Sequence, residues 1–245
     1  MCRNAERHGE KPMTILFHDR HDAGRHLANK LSPWLERDDV IVLALPRGGV
    51  PVGFEVARTL HAPLDTMLVR KLGLPGQEEL AMGALALPDI CVFNHDVIQS
   101  AAVPQEAIDR VVEKETEELH RRNRLYRQNE PPPDLRNRII ILVDDGAATG
   151  ANMRAAISAA AQQRPARIVV ALPVASTQAF EMLKQHADDV VCLHRPAMFL
   201  GVGQAYGDFS QTSDGEVLEL LEKARHWGKG HVSFNGGRKH VRSGL

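Results

Sequence analysis

The residues with the clearest chemical potential follow a run of apolar residues in the second half of the chain. Asp144 and Asp145 are adjacent acids, followed directly by Gly146 and the small-residue loop Ala147-Ala148-Thr149-Gly150. Two neighbouring carboxylates repel each other, so keeping both ionised suits a ligand that brings hydroxyl donors or a cation. The N–H groups of a small-residue loop that opens a helix suit an anion. This order of residues therefore predicts a site for a sugar diol beside a phosphate.

The alternative interpretation of this segment is a buried strand and a capped helix, with both acids merely solvated. A cap needs one acid, whereas this segment combines two acids with a glycine and a loop of small residues. A single helix terminus contributes only about 0.3–1 kcal/mol to anion binding. Several N–H groups and the Thr149 hydroxyl would therefore have to share the phosphate.

Two predicted units of strand, loop and helix must position these residues. In the first, the apolar run 39–45 leads into Pro46-Arg47-Gly48-Gly49 and a helix that extends to about Leu60. In the second, the aliphatic run 139–143 precedes the acids, and a helix is expected from about 152 to 163. Such apolar strands belong mostly to parallel sheets covered by helices on both faces. Open α/β sheets bind ligands outside the carboxyl ends of their strands, where both loops begin.

The first loop carries a cation where the second carries acids. Arg47 precedes Gly48 and Gly49, and an arginine fork suits bidentate recognition of a phosphate. Taken alone, a tight turn with a surface arginine explains the loop equally well.

A third segment, residues 68–79, contains the adjacent cations Arg70 and Lys71 together with two glycines and a proline. This composition predicts a strand that gives way to a mobile loop. Solvated surface charges are the competing explanation for the two cations.

The segment Val143-Asp144-Asp145-Gly146-Ala147-Ala148-Thr149-Gly150 resembles the phosphoribosyl pyrophosphate (PRPP) motif of the type I phosphoribosyltransferases. The resemblance implies that Asp144 and Asp145 hold the ribose 2′- and 3′-hydroxyls. It also implies that the following loop binds the 5′-phosphate. The predicted phosphate-binding residues are Gly146, Ala147, Ala148, Thr149, Gly150 and Ala151.

The other two segments also resemble loops of this family. The likeness implies that Arg47 and the backbone of Gly48 and Gly49 bind the leaving pyrophosphate. It makes residues 68–79 the family's flexible loop, which would close over the site and bring Arg70 and Lys71 to the pyrophosphate. Closure would exclude water from the reacting sugar.

By its order along the chain, the Gly-rich segment 198–210 matches the hood that recognises the accepting base in this family. Tyr206, Asp208 and Phe209 are the candidate acceptor-binding residues, because they can stack on a ring or hydrogen-bond to it. Tyr206 and Phe209 can equally form a small core under a loop.

Two positions depart from the family's usual pattern. Ala148 stands where many members have a hydroxyl or an acid, and Asn152 stands where a Thr or Ser commonly opens the helix. In purine-salvage members an Asp at the position of Ala148 is a candidate general base. Its absence argues against a purine acceptor and against a base supplied by the loop, although electrostatic stabilisation can carry such a reaction.

The leading hypothesis is a Mg²⁺-dependent enzyme that transfers the phosphoribosyl group of PRPP to a nitrogenous acceptor and releases pyrophosphate. The resemblance makes Arg47, Lys71, Asp144 and Asp145 the catalytic candidates. Mg²⁺ would be held mainly by substrate oxygens and water, with Asp144 or Asp145 as the candidate protein ligand. The alternative is a regulatory protein that senses PRPP or a nucleotide on the same fold. A phosphohydrolase with Asp144 as nucleophile is disfavoured, because no Thr and Lys are arranged for it.

Composition fits a compact enzyme without a polyanionic partner. Hydrophobic residues make up 43% of the chain, charged residues 25%, and the net charge is −1. The cluster Arg121-Arg122-Asn123-Arg124 is interpreted as a solvated helix face, and 238–242 as part of a tail. No membrane-spanning run or signal peptide is recognised, and Cys2, Cys91 and Cys192 lack metal-ligand spacing. We therefore expect a cytoplasmic protein that binds neither nucleic acid nor membrane.

The predicted fold is an α/β domain with a central, mainly parallel sheet flanked by helices, Rossmann-like with a small hood. A loose N-terminus is expected at 1–14, the phosphoribosyltransferase-like domain at 15–227 with its hood at about 196–215, and a mobile tail at 228–245. The long helical segment 104–128 predicts a core or dimer contact, and a homodimer is expected. Strands are predicted near 40–45, 64–70, 82–87, 90–93, 139–144, 167–172 and 189–194.

Overall fold

The computed structural model describes residues 15–87, 90–128 and 130–228. The predictions for 1–14, for 238–242 and for nearly all of the tail lie outside these residues. The described strands are β1 (Val40–Ala44), β2 (Leu64–Thr66), β3 (Val69–Leu74), β4 (Gln77–Ala86), β5 (Ile90–Phe93), β6 (Ile139–Val143), β7 (Arg167–Val174) and β8 (Asp189–His194). The described α-helices are α1 (Arg20–Lys30), α2 (Gly49–Leu60), α3 (His95–Ser100), α4 (Gln105–Arg127), α5 (Ala151–Ala161), α6 (Thr177–Lys184) and α7 (Asp214–Gly228).

A five-stranded parallel sheet with the order β2-β1-β6-β7-β8 forms the centre of the structure. Every residue of β1 and β6 is buried, because these strands consist of aliphatic residues that meet helices on both faces. One buried cluster includes residues of α5 and α6, and the other includes residues of α1 and α2. The predicted α/β fold class is confirmed.

The order of the strands brings the two predicted loops together. β1 and β6 are neighbours, and Ala44 pairs with Val143 at the carboxyl ends of the two strands. The chain leaves β1 toward β2 on one side of the sheet, whereas β7 and β8 extend the sheet beyond β6 on the other. The loops 45–49 and 144–150 therefore emerge side by side at the switch point where open α/β sheets bind ligands.

The predicted mobile loop at 68–79 is wrong in its form. Strands β3 and β4 make an antiparallel hairpin that turns at Pro75 and Gly76, and β5 completes a second, three-stranded sheet. Glycine and proline thus mark a tight turn here rather than a long loop. The hairpin residues Leu72, Leu74 and Met82 are buried in a cluster with α4 and α7, and this packing holds the segment in strands.

The predicted strand at 64–70 is likewise two strands, since β2 joins the parallel sheet and β3 joins the hairpin. Helix α4 is 23 residues long and begins directly after Pro104. Its buried residues Ile108 and Leu119 pack in one cluster with the hairpin and with α7. The apolar stripe of this helix is therefore core within the chain, and the predicted dimer contact stays a prediction.

The predicted hood segment packs against the first described residues of the chain. Phe17 pairs with Tyr206, and the N–H groups of Leu16 and Phe17 both donate to the Ala205 carbonyl. A 3₁₀ turn at Val202–Ala205 precedes this contact, and Phe17, Ala205 and Tyr206 share a small buried cluster. No helix in the described part of the chain has the length and apolar character needed to cross a membrane.

Candidate active site

The two acids lie at the carboxyl end of β6, against the loop that follows β1. The Leu45 N–H donates to the Val143 carbonyl at 2.8 Å, so the contact between the strands continues into the loops. A Cβ atom on Gly49 would lie 2.7 Å from the Val143 carbonyl oxygen, and a Cβ atom on Gly48 would overlap the Asp145 carboxylate. Glycine is therefore required at both positions for the two loops to meet.

The adjacent acids face different surroundings. Asp144 lines a cavity between the sheet edge, the hairpin and α4, and its Oδ1 accepts a hydrogen bond of 2.9 Å from the Asp145 N–H. Burial and the charge of Asp145 raise the pKa of Asp144 well above its ordinary value. Burial also raises the pKa of Asp145, although Arg20 opposes this shift. A ligand that offers hydroxyl donors or a cation would stabilise both carboxylates in their ionised form.

Arg20, at the start of α1, is a site residue that the sequence analysis missed. Its Nε donates to Asp145 Oδ2 at 2.8 Å, and its Nη1 donates to the Ser210 carbonyl at 2.7 Å. The guanidinium carbon lies 4.0 Å from the centre of the Phe209 ring. Arg20 thus joins the acidic pair to the hood. Arg20 and Asp145 are 125 positions apart in the chain, and no local pattern links them.

The predicted acceptor-binding residues have different positions in the hood. Tyr206 is buried, and its hydroxyl donates to the Asp145 carbonyl at 2.5 Å. Burial raises the pKa of Tyr206, so the hydroxyl keeps the proton that it donates. Phe209 stacks on Tyr206 with ring centres 5.1 Å apart, whereas Asp208 is exposed and accepts from the Ser210 N–H at 2.8 Å. The structure favours the interpretation of Tyr206 as core, since this residue supports the backbone of the acidic pair.

The loop after the acids is held by β7 and α6. The Ala147 N–H donates to the Val174 carbonyl at 3.0 Å, and the Ser176 hydroxyl donates to the Ala148 carbonyl at 2.7 Å. The prediction of an entirely free row of N–H groups is therefore wrong at Ala147. Among the residues that the structure describes, none accepts a hydrogen bond from the N–H of Ala148, Thr149 or Gly150.

The end of this loop has the geometry of a helix start. Gly150 has a φ of 72° and precedes α5, and the Thr149 hydroxyl accepts from the Ala151 N–H at 3.3 Å. Ala148 and Thr149 are exposed and Gly150 is buried, so the loop reaches the surface directly before α5. This arrangement can accommodate an anion at the N-terminus of α5.

The cavity beside Asp144 has a volume of about 400 Å³. The hairpin places Arg70 and Lys71 at this cavity, and Asn152 of α5 lines it as well. The predicted contact of Arg70 and Lys71 with pyrophosphate stays a prediction. The side chains of α4 that line the cavity were missed. Those residues are Val111, Lys114, Glu115 and Arg122.

The interpretation of the arginine cluster 121–124 as a solvated face is wrong for Arg122, which lines the cavity. Arg70 of the hairpin forms an ion pair of 2.6 Å with Glu115 of α4. This pair ties the hairpin to the helix over the cavity. The period of an α-helix places residues 111, 115, 118 and 122 on one face, and this is the signal that could have indicated a shared role.

The side chain of Arg47 is not among those that line the cavity. Its Nη1 lies 3.8 Å from Oδ1 of Asp214, at the start of α7, and the peptide bond between Pro46 and Arg47 is cis. Asp214 also accepts a hydrogen bond of 2.5 Å from Tyr126, and burial together with this bond raises the pKa of Tyr126 to about 12. The structure thus places the backbone of the first loop at the site and directs its arginine toward α7.

Oxygen ligands suit Mg²⁺, and Asp144 presents a carboxylate to the cavity. Within residues 15–87, 90–128 and 130–228, no three His, Cys, Asp or Glu side chains lie together in a way that would hold a metal ion.

A family model described as the phosphoribosyl transferase domain matches residues 17–206. This chain belongs to the phosphoribosyl transferase family. The match includes Arg20, the three loops and the hood residue Tyr206, so the predicted family is confirmed. The hood residues Asp208, Phe209 and Ser210 lie just beyond the matched range.

Relatives of this phosphoribosyl transferase domain support the assignment. Two proteins of Mycobacterium tuberculosis, from strains CDC 1551 / Oshkosh and ATCC 25618 / H37Rv, have the name "Putative phosphoribosyl transferase" and are each 46% identical over 209 residues. The match covers 85% of this chain and 47% of each relative, so the chain spans about half their length. The crystal structure of TT1426 from Thermus thermophilus is 42% identical, with a TM-score of 0.78 over 84% of this chain and 98% of that one.

Proposed function

We propose that this protein is a Mg²⁺-dependent phosphoribosyltransferase that transfers the 5-phosphoribosyl group of PRPP to a nitrogenous acceptor and releases pyrophosphate. The observation that carries the proposal is the contact between the two loops, with Gly48 packed against Asp145 beside a cavity that contains basic side chains. This arrangement offers acceptors for sugar hydroxyls next to donors for phosphate groups. Membership of the family supports the same reaction class.

In this proposal Asp144 and Asp145 accept hydrogen bonds from the ribose 2′- and 3′-hydroxyls. The N–H groups of Ala148, Thr149 and Gly150 and the Thr149 hydroxyl hold the 5′-phosphate, at the positive end of α5. Their placement on either side of Gly146 fits a sugar with a phosphate at one end.

The leaving pyrophosphate would lie in the cavity with Arg70 and Lys71, beside the backbone of Gly48 and Gly49. Arg47 can join it only by turning away from Asp214. When Mg²⁺ is bound, it would neutralise phosphate oxygens, with substrate oxygens and the Asp144 carboxylate as its ligands.

The reaction would begin with cleavage of the bond between the anomeric carbon and the pyrophosphate oxygen, whose electron pair departs with pyrophosphate. The acceptor nitrogen then forms a bond to the same carbon and gives its proton to a pyrophosphate oxygen or to water. Ala148 cannot take this proton, so the chain's main contribution is to fix the sugar and to stabilise the developing charges. The hairpin covers the cavity and limits the access of water to the oxocarbenium-like sugar.

Isothermal titration of PRPP with Mg²⁺ tests the role of the acidic pair. Asp144→Asn and Asp145→Asn should each bind PRPP more weakly than the wild type by at least about tenfold, since a hydrogen bond to a charged group contributes about 1.5–3 kcal/mol. Circular dichroism of each variant controls for folding. Equal affinities in all three proteins would remove the assigned role.

The acceptor is open to a direct screen. Purine, pyrimidine and other nitrogenous acceptors, each added with PRPP and Mg²⁺, should reveal one class that releases pyrophosphate. The hood, with Phe209 partly exposed beside Arg20, is the proposed contact for the ring of that acceptor. Phe209→Ala should then raise the KM for the acceptor while leaving PRPP affinity unchanged. We also expect a cytoplasmic homodimer, which gel filtration and fractionation would test.

A regulatory protein that senses PRPP is the second candidate. It is favoured by Ala148 in place of a proton acceptor and by Arg47 directed at Asp214. The double variant Arg70→Met, Lys71→Met separates the two functions. At a PRPP concentration that saturates the variant, an enzyme should lose turnover with these changes, whereas a sensor should keep its response to a partner.

A further inference from the structure

Helix α4 presents one face to the hairpin and to the sheet edge. Lys114 and Arg122 of this face line the cavity that also contains Asp144. Neither residue belongs to the three loops that resemble the family's motifs. The helix is held there by the buried residues Ile108 and Leu119 and by the ion pair between Glu115 and Arg70. The backbone of α4 is therefore held beside the cavity, and its charged side chains start from fixed positions.

The part of the cavity lined by β3 and α4 has a basic character and is called the wall below. Its cations come from two elements, with Arg70 and Lys71 on β3 and Lys114 and Arg122 on α4. The acidic side chains that line the same cavity are Asp144, Glu78 and Glu115. A wall that combines cations from two directions suits a ligand with several negative charges close together.

The cations of this wall differ in their present partners. Arg70 is paired with Glu115 at 2.6 Å, and Arg122 is paired with Glu118 at 2.8 Å. Lys114 is exposed, and within the described residues no carboxylate forms an ion pair with it. A ligand anion therefore gains a contact with Lys114 without displacing an acid of the chain.

The cavity also sits where a diphosphate would be. The proposed ribose contacts are at Asp144, and the proposed 5′-phosphate contacts lie on the loop that opens α5. The cavity extends from Asp144 past Leu45 and Pro46, the first residues of the loop after β1. A group attached to the anomeric carbon of a ribose held by Asp144 would enter this space.

We propose that Lys114 and Arg122 of α4 form, with Arg70 and Lys71, the binding wall for the pyrophosphate group, so that the site selects a sugar diphosphate over a sugar monophosphate. This inference rests on the proposed function and deepens it, because it assigns the leaving-group end of the site to a helix outside the three loops. A pyrophosphate oxygen would also compete with Glu115 for Arg70. Binding and the position of the hairpin are therefore linked.

The test compares the binding of three probes, each with Mg²⁺: PRPP, inorganic pyrophosphate and ribose 5-phosphate. Lys114→Met and Arg122→Met should weaken PRPP and pyrophosphate binding by roughly tenfold, the loss of one charge-assisted hydrogen bond. Binding of ribose 5-phosphate should stay within about twofold, because it lacks the diphosphate group.

The chain offers matched controls for both variants. Arg121 is next to Arg122 and pairs with the same acid, Glu118, but does not line the cavity. Lys30 is an exposed lysine at the C-terminal end of α1, roughly 15 Å along that helix from Arg20. Arg121→Met and Lys30→Met should leave the affinities of all three probes unchanged.

Several outcomes would overturn the inference. One is that Lys114→Met and Arg122→Met lose affinity for ribose 5-phosphate as much as for pyrophosphate. Another is that Lys114→Met binds all three probes as tightly as Lys30→Met does. A third is that the wild type does not bind pyrophosphate. A different result is that Lys114→Met and Arg122→Met weaken pyrophosphate binding, while Asp145→Asn binds PRPP as tightly as the wild type. That result would support the binding wall and contradict the proposed ribose role of Asp145. The two proposals therefore fail separately.

Discussion

The two sides of the acidic pair are built in different ways. On the side of Asp145, the polar groups meet partners from the chain itself: Arg20 binds the carboxylate, Tyr206 binds the carbonyl, and Gly48 packs against the side chain. On the side of Asp144, basic side chains from β3 and α4 surround an open cavity. The difference indicates that one side fixes the geometry of the site, while the other keeps charge available for a ligand.

The largest effect should follow from filling the contact between the two loops. A Cβ atom in Gly48→Ala would overlap the Asp145 carboxylate, so either the acid or the loop must move. A displacement of about 1 Å at a catalytic site can cost about 10²-fold in rate, and we expect a loss of this size in pyrophosphate release.

Gly215→Ala, in the first turn of α7, is the control for this variant, because a Cβ atom there meets only the Ser213 hydroxyl oxygen at 3.8 Å. Activity within a few fold of the wild type in Gly48→Ala would show that the two loops do not need this close approach. The inference that the Asp145 side fixes the geometry of the site would then be wrong.

The second effect concerns Arg20. Arg20→Gln leaves the Asp145 carboxylate without its cation in a largely buried position, where side-chain exposure is 11% for the arginine and 16% for the acid. We expect a loss of about 3 kcal/mol in the free energy of unfolding, measured with urea.

Arg25→Gln on the same helix is the matched control. Arg25 pairs with Asp22, and its side chain is 50% exposed, so its removal should cost less than about 1 kcal/mol. Equal losses in the two variants would mean that Asp145 does not depend on Arg20.

The third effect tests the open side. Arg70→Met removes a cation of the cavity and the ion pair that ties the hairpin to α4. The KM for PRPP should rise about tenfold, the cost of one hydrogen bond to a charged group. Because 28% of the arginine side chain is exposed, the free energy of unfolding should fall by no more than about 1 kcal/mol. Steady-state assays and urea unfolding on the same preparation check both statements. A variant that lost stability but kept its KM would place Arg70 among the structural residues.

The smallest effect is a pH dependence of the free energy of unfolding, which arises from His21 of α1, next to Arg20. The pKa of His21 is raised, chiefly by its hydrogen bond with Glu55 at 3.0 Å, while Asp19 and Glu216 act in the same direction and burial opposes the shift. Arg58 is the other charged partner of Glu55. A raised pKa means that the stabilisation is fully present below about pH 6.5 and is lost as the pH rises through the pKa of the folded state.

His21→Gln should therefore flatten the dependence of unfolding free energy on pH above about pH 6.5. Unfolding in urea at several pH values measures this dependence. An unchanged slope in the variant would show that the ion pair between α1 and α2 does not contribute.

The parts of the site that could be predicted from the sequence are those whose residues lie within one short segment of the chain. Asp144, Asp145, Gly48 and Gly49 follow apolar strands directly, and two parallel strands with loops at the same end are enough to bring them together. The fold class follows from the same strands.

Arg20 and Lys114 could not be predicted in this way, because their roles depend on how distant helices pack onto the sheet. The hairpin illustrates another limit. Glycine and proline in residues 68–79 are compatible with both a long loop and a tight turn. The burial of the hairpin residue Leu72 favours the tight turn between two strands. That burial depends on residues distant in the sequence, so local composition could not predict it.

The glycines that let the two loops meet also restrict how the protein can change. A side chain at Gly48 or Gly49 would strike the acids or the end of β6, so mutation has little scope to retune the sugar end of the site. Divergence among relatives that use different acceptors should then accumulate in the hood. The most constrained positions of the molecule are thus ones with no side chain at all.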